Sequence, residues 1–154
     1  MRQGAASGAR GFSLLEMILV LALVALASML AAAAIGGGFD GMRLRSAAKE
    51  VAAQLRFTRA QAIATGEPQR FTFDPAAHRW GAPKGRSGEL PRQLALTFVG
   101  AREVQPSAGE GAIVFFADGA STGGRVRLAL DDAAWDVEVA WLTGQVRATP
   151  VGRQ

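Results

Sequence analysis

From Met17 to Phe39 the chain carries no charged residue. The run MILVLALVALASMLAAAAIGGGF is mostly Leu, Ala, Val and Ile. A membrane-crossing helix needs about 20 largely apolar residues at a 1.5 Å rise each. Leu14 to Ile35 meets that need with one charge, Glu16, near its start. All six prolines lie at or beyond Pro68, so none interrupts a helix before that point. Arg2 and Arg10 form a short basic flank ahead of the run, which favours a cytoplasmic N-terminus with the remainder across the membrane. A cleaved secretory signal is the competing reading. Its apolar stretch runs about 7–15 residues, shorter than this one, although Ala31–Ala34 offers small residues of the cleavage-site kind.

The rest of the sequence narrows the chemistry. With 154 residues there is room for one domain beyond the span. The chain has no cysteine and a single histidine, His78. Disulfides, thiolate metal sites, thiol nucleophiles and any site needing two histidines are therefore excluded. The net charge is +4, unevenly placed. Arg43, Arg45, Lys49, Arg56, Arg59 and Arg70 face only Glu50 and Glu67 between residues 42 and 70, whereas the segment after residue 110 is acidic.

Glu16 is the unusual residue, because a carboxylate within an apolar boundary is costly. Ser13-Leu14-Leu15-Glu16 has the S-x-x-E spacing of a capping box, in which Ser13 caps the helix and Glu16 reaches back to the Ser13 amide. The second reading is that Glu16 neutralises a positive group at membrane depth, such as an α-amine. At this point the residues resemble a family. Arg10-Gly11-Phe12-Ser13-Leu14-Leu15-Glu16 before a long apolar helix is similar to the class III signal of type IV pilins and type II secretion pseudopilins. The resemblance implies that a prepilin peptidase cuts between Gly11 and Phe12 and that Phe12 becomes N-methylated. It also implies that Glu16 pairs with that amine on a neighbouring subunit during assembly. The mature chain would be Phe12 to Gln154.

Gly36-Gly37-Gly38 follows the apolar run. Each Gly costs roughly 0.8–1 kcal/mol against Ala in a helix, so a kink or local unwinding is expected there. Beyond it Leu44, Ala47, Ala48, Val51, Leu55, Ala62 and Ile63 recur at three- and four-residue steps, one apolar helix face. Phe57 lies off that stripe and is positioned to touch the globular part. Gly66-Glu67-Pro68 supplies the stop. A helix from Met42 to Thr65 would span roughly 36 Å. Its basic face has three readings: solvated surface, contact with anionic lipid or acidic subunits, and DNA. No interleaved aromatics offer base stacking for the last.

From residue 69 the period becomes two. Gln69–Asp74 alternates and ends at Pro75, and His78-Arg79-Trp80 reads as its return partner. Leu94–Val99, Ala112–Phe116, Arg125–Leu130, Asp136–Trp141 and Gln145–Ala148 read as further strands. Trp80, Trp135 and Trp141 are expected in the core or on a sheet face, and His78 at a strand end. Pro83–Pro91, with Lys84, Arg86 and nearby Arg92, and Gly100–Gly111 read as loops suited to partner contact. The class is α+β, a long helix packed on antiparallel sheets.

Ala112–Leu128, a strand followed by Asp118-Gly119 and Ser121-Thr122-Gly123-Gly124 and then a strand, is similar to the closing hairpin of the H-type (GspH/FimT) minor pseudopilins, as is the stem Leu44–Gly66. The implied fold is pilin-like, an N-terminal helix on two antiparallel sheets. The expected organisation is a leader at 1–11, a transmembrane helix at 12–36, a stem helix at 37–66 and a β-rich periplasmic domain at 67–154.

Gly119-Ala120-Ser121-Thr122-Gly123 matches a nucleophile elbow, but a strand follows it and the only histidine precedes it. The same glycines lack the Lys-Ser/Thr of a phosphate loop. Asp131-Asp132 lacks the ordered oxygen series that Ca²⁺ requires. No catalytic, cofactor or metal residue is expected. The resemblance implies a structural minor pseudopilin in the tip of a type II secretion pseudopilus, driving export of folded proteins. Its partners would be prepilin peptidase, other pseudopilins, inner-membrane lipid and secreted cargo. The alternative is a type IV pilus minor pilin serving pilus assembly or DNA uptake. Two positive charges lie in the leader, which argues against nucleic acid.

Overall fold

The computed structural model describes residues 13–100 and 109–152, with side chains at 32–39 excepted. Helix α1 spans Leu14–Thr65. Eight strands follow: β1 Gln69–Asp74, β2 Arg79–Ala82, β3 Arg86–Glu89, β4 Ala95–Gly100, β5 Gly111–Phe115, β6 Gly124–Leu130, β7 Ala133–Val139 and β8 Val146–Val151. The chain divides into two compact units, one ending at Gly38 and the other starting at Phe39.

Helical backbone continues through Gly36-Gly37-Gly38, contrary to the unwinding expected from glycine propensity. Splitting the segment would require two new helix ends and a second costly nucleus, and propagation between long flanking helical stretches outweighs the glycine penalty. The helix stops where the sequence indicates. Gly66 adopts φ +69° and its N–H donates to the Ala62 carbonyl at 3.0 Å, a left-handed C-terminal cap.

In the second unit the strands form two four-stranded antiparallel sheets, ordered β3-β2-β1-β5 and β4-β6-β7-β8. The helix inserts Leu44, Ala47, Ala48, Val51, Ala52, Leu55 and Ala62 into one core with Phe71, Phe73, Ile113 and Phe115 of the first sheet and Val126, Leu128, Val137 and Val139 of the second. Every buried residue described lies between 44 and 146, so this unit holds its own core. Ile63 departs from the expected stripe and is 49% exposed at the helix end.

Three strand-level expectations change. Pro83–Pro91 is no loop, because Arg86–Glu89 pairs with β2 from Arg79↔Glu89 to Ala82↔Arg86. That segment has no apolar alternation, and pairing alone makes it a strand. Trp141 lies past the end of β7 and is 69% exposed, not in the core. The Ala112–Leu128 hairpin is also not formed as such, since β5 and β6 belong to different sheets. The chain reverses tightly, with a single Phe115↔Ser121 bridge, and then crosses over. Gly123 (φ +71°) and Gly124 (φ +156°) permit the crossing, and a Cβ on Gly124 would press on Ile113 at 3.0 Å. The expected loop at Gly100–Gly111 lies mostly outside the described residues.

Candidate functional site

At the start of α1 the Ser13 hydroxyl accepts a hydrogen bond from the Glu16 amide at 3.1 Å. This is half of the capping box. Among the described residues the Glu16 carboxylate makes no hydrogen bond or ion pair, so the cap holds the backbone and leaves the acid free. Leu14–Ala31 follows with a mean hydropathy of 2.6 and none of it buried. By length and composition this helix can cross a membrane. Gly11 and Phe12 lie outside the described residues.

The basic helix face divides into two parts. Arg56 donates from Nη2 to the Val146 carbonyl at 3.1 Å, and Arg59 donates from Nε to the Gly119 carbonyl at 3.0 Å. These two guanidinium groups tie the helix to β8 and to the turn after β5. Arg43 reaches Asp40 at 3.8 Å one turn back, an exposed pair of little energetic weight. Arg45 and Lys49 are exposed. Phe57 meets the β-rich part as the sequence suggests, with the Arg86 guanidinium 4.3 Å above its ring.

Ser121, the nucleophile of the elbow look-alike, is buried and bonded on both sides. Its hydroxyl donates to the Ala140 carbonyl at 3.2 Å and accepts from the Gly123 amide at 3.0 Å. Its own amide donates to the Trp141 carbonyl at 2.9 Å. The residue locks two turns together. His78 sits in the β1–β2 turn at φ +55°, half-buried, far in sequence and sheet position from Ser121. Among the described residues no cluster of three His, Asp or Glu is placed to hold a metal.

On the outer face of the second sheet, Arg127 grips Asp136 with Nε to Oδ1 at 2.7 Å and Nη2 to Oδ2 at 2.8 Å. The bidentate hydrogen bond holds the Asp136 carboxyl below the usual carboxylate range, partly opposed by burial and helped by the Arg125 charge. Arg125 also pairs with Glu138 across the same strands. The row stabilises the sheet and leaves an uneven groove beside it, lined by Val99, Gly124, Arg125, Glu138, Trp141 and Arg147. Sequence patterning missed these ion pairs. The i-to-j pairing of Arg127 with Asp136 becomes visible only once β6–β7 register is fixed.

Comparisons with known proteins agree with this architecture. Residues 47–144 match the family described as type II transport protein GspH. The chain is 63% identical over 142 residues to type II secretion system protein H of Xanthomonas campestris pv. campestris, covering 92% of this chain and 84% of that one. Its fold is similar to the minor pseudopilin EpsH of Vibrio cholerae, with a TM-score of 0.56, 17% identity, and coverage of 70% of this chain and 96% of that one. The type IV minor pilin FimU of Pseudomonas aeruginosa gives 0.55, 15%, 72% and 91%. The chain belongs to the GspH family of type II transport proteins and is a minor pseudopilin of type II secretion.

Proposed function

We propose that this chain is anchored by its apolar helix in the inner membrane, with residues beyond it in the periplasm, and enters the tip of a filament that drives export of folded proteins. Processing between Gly11 and Phe12 creates an α-amine, which is N-methylated, and Glu16 pairs with such an amine on a neighbouring subunit. The observation that carries this reading is the span Leu14–Ala31, none of it buried, whose first turn holds one acid without a partner among the described residues. Apolar surface on that scale requires lipid or other helices around it. A carboxylate there is tolerable when a cation arrives to match it.

The alternative of DNA uptake has less support. Arg56 and Arg59 spend donors on backbone carbonyls, and Arg125 and Arg127 are matched by Glu138 and Asp136. Arg45, Lys49 and Arg70 have no carboxylate partner among the described residues and keep their charge for phosphate, but the 63% identical relative is a type II secretion protein.

The test compares Glu16→Ala and Glu16→Gln in cells lacking the native chain. Loss of incorporation with neighbouring subunits is expected for both, because Ser13 still caps the helix and only the charge is gone. Full assembly of Glu16→Gln would show that hydrogen bonding, not charge, is what position 16 supplies.

A further inference from the structure

Helix α1 carries five basic residues from Arg43 to Arg59, and they are used unequally. Arg56 and Arg59 donate to carbonyls of the β-rich part, and Arg43 reaches Asp40. Arg45 and Lys49 are exposed and meet no carboxylate among the described residues. They stand four positions apart and are therefore neighbours on one helix face. Besides each other, the positions three or four residues from either hold only Gly, Met, Ser and Ala. Glu50 follows Lys49 in sequence but is turned to the first sheet, where its Oε1 accepts from Trp80 Nε1 at 3.1 Å. Like charges at this spacing repel each other. The pair weakens the helix on its own and fits an anion held between the two side chains.

The chain around the pair narrows the anion. Met42 lies three residues before Arg45 and seven before Lys49, on the same face, and is 67% exposed. The uncharged run ends at Phe39, six residues before Arg45 and ten before Lys49. At 1.5 Å per helical residue these are about 9 and 15 Å of chain. That path length holds whatever angle the two units take. Side chains on a helix lean toward its N-terminus, here toward the apolar run. Long cationic side chains lay their stems along apolar surface and place the charge at its polar border. With distance from the run, the face is first apolar at Met42 and then doubly basic, which is the order of a lipid from acyl chain to phosphate.

We infer that Arg45 and Lys49 clamp the phosphate of an anionic phospholipid, with Met42 against the glycerol end of its acyl chains. This rests on the anchored reading proposed above and names the lipid class that the anchor selects. The guanidinium offers paired N–H donors and the ammonium a mobile point charge, and both suit phosphate oxygens. A zwitterionic headgroup would bring its own ammonium against two cations, so net negative lipid is preferred. A DNA duplex would draw on the same charges but has no use for Met42.

The test uses the full chain in vesicles of phosphatidylcholine in which about one lipid in four is phosphatidylglycerol. A benzophenone amino acid is placed at Ser46, exposed and one turn from both Met42 and Lys49, and separately at Leu23 within the span. Lipid adducts are identified by mass. At Ser46 the share of phosphatidylglycerol should exceed its share of the vesicle at least about threefold. At Leu23 it should match the vesicle. Arg45→Gln with Lys49→Gln should bring Ser46 to the vesicle proportion, whereas Arg45→Lys should keep the enrichment. Both side chains are exposed, and unchanged melting of the variants will show that the fold survives. No enrichment at Ser46, enrichment indifferent to the double substitution, a product joining two copies of the chain, or loss of the enrichment to an added DNA duplex at physiological salt would each overturn the inference. Lipid at Leu23 with none at Ser46 would overturn it and leave the anchored reading standing. Lipid at neither position would overturn both.

Discussion

Gly144 and Gly66 both sit at positive φ, +60° and +69°, but in different company. A Cβ on Gly66 would meet open space, whereas one on Gly144 would fall inside contact distance of the Gly119 carbonyl oxygen and press on Arg59. Gly66→Ala should cost about 1 kcal/mol from backbone strain alone. Gly144→Ala should cost at least about 2 kcal/mol more, because the Arg59-bonded turn must also shift. Melting of a fragment from residue 39 onward measures both. Asp136 makes a pH-dependent case. Its side chain is 12% exposed and its folded-state pKa is depressed by Arg127. The stabilisation is therefore present above the ordinary carboxylate value of about 3.9 and is lost as pH falls through the folded value. Asp136→Asn should lower the melting temperature at pH 7 by an amount worth about 1 kcal/mol, and the gap should close as the pH drops below about 4. A gap independent of pH would assign the effect to packing. At this scale the sequence is least legible. Glycines that read as turn or loop signals are spaces for rings: Trp80 lies over Gly88, and the Phe98 ring fills the places where Gly100 and Gly111 would carry a Cβ.

The elements themselves were legible wherever burial imposed a period. The helix face from Leu44 to Ala62 and strands β1, β4, β6 and β7 alternate because one side meets the core. β3 could not be read, since Arg86-Ser87-Gly88-Glu89 buries no side chain and owes its form to β2. The basic helix face was readable as charge but not as contact. Nothing in the sequence says that Arg56 and Arg59 turn toward carbonyls 90 and 60 residues away. Arg59 links the helix end to the Gly119 turn, which Gly144 touches from the other side. Arg59→Ala is expected to cost about 1–2 kcal/mol and to raise hydrogen exchange at residues 116–120 and 140–145 while leaving β1–β3 unchanged. A uniform rise through both sheets would show that Arg59 supports the whole core and not the turns.

For the molecule as a whole, the two units solve opposite problems. The second buries its apolar residues within itself, while the first exposes an apolar helix of membrane length with a carboxylate, Glu16, in its opening turn. The family was readable from Arg10–Glu16 and from the Asp-Gly and Ser-Thr-Gly-Gly turn. The position of that turn between the sheets was not, because sheet membership depends on contacts distant in sequence. On the proposed reading Glu16 meets a cation at membrane depth, and clipping the leader is the step that would make one. Intact-mass measurement of the chain purified from its own membrane tests this directly. The account predicts a polypeptide that begins at Phe12 and carries one added methyl group, and a Gly11→Ala variant that keeps its leader. A native chain that still begins at Met1, or one trimmed near Ala34 and released from the membrane, would contradict it.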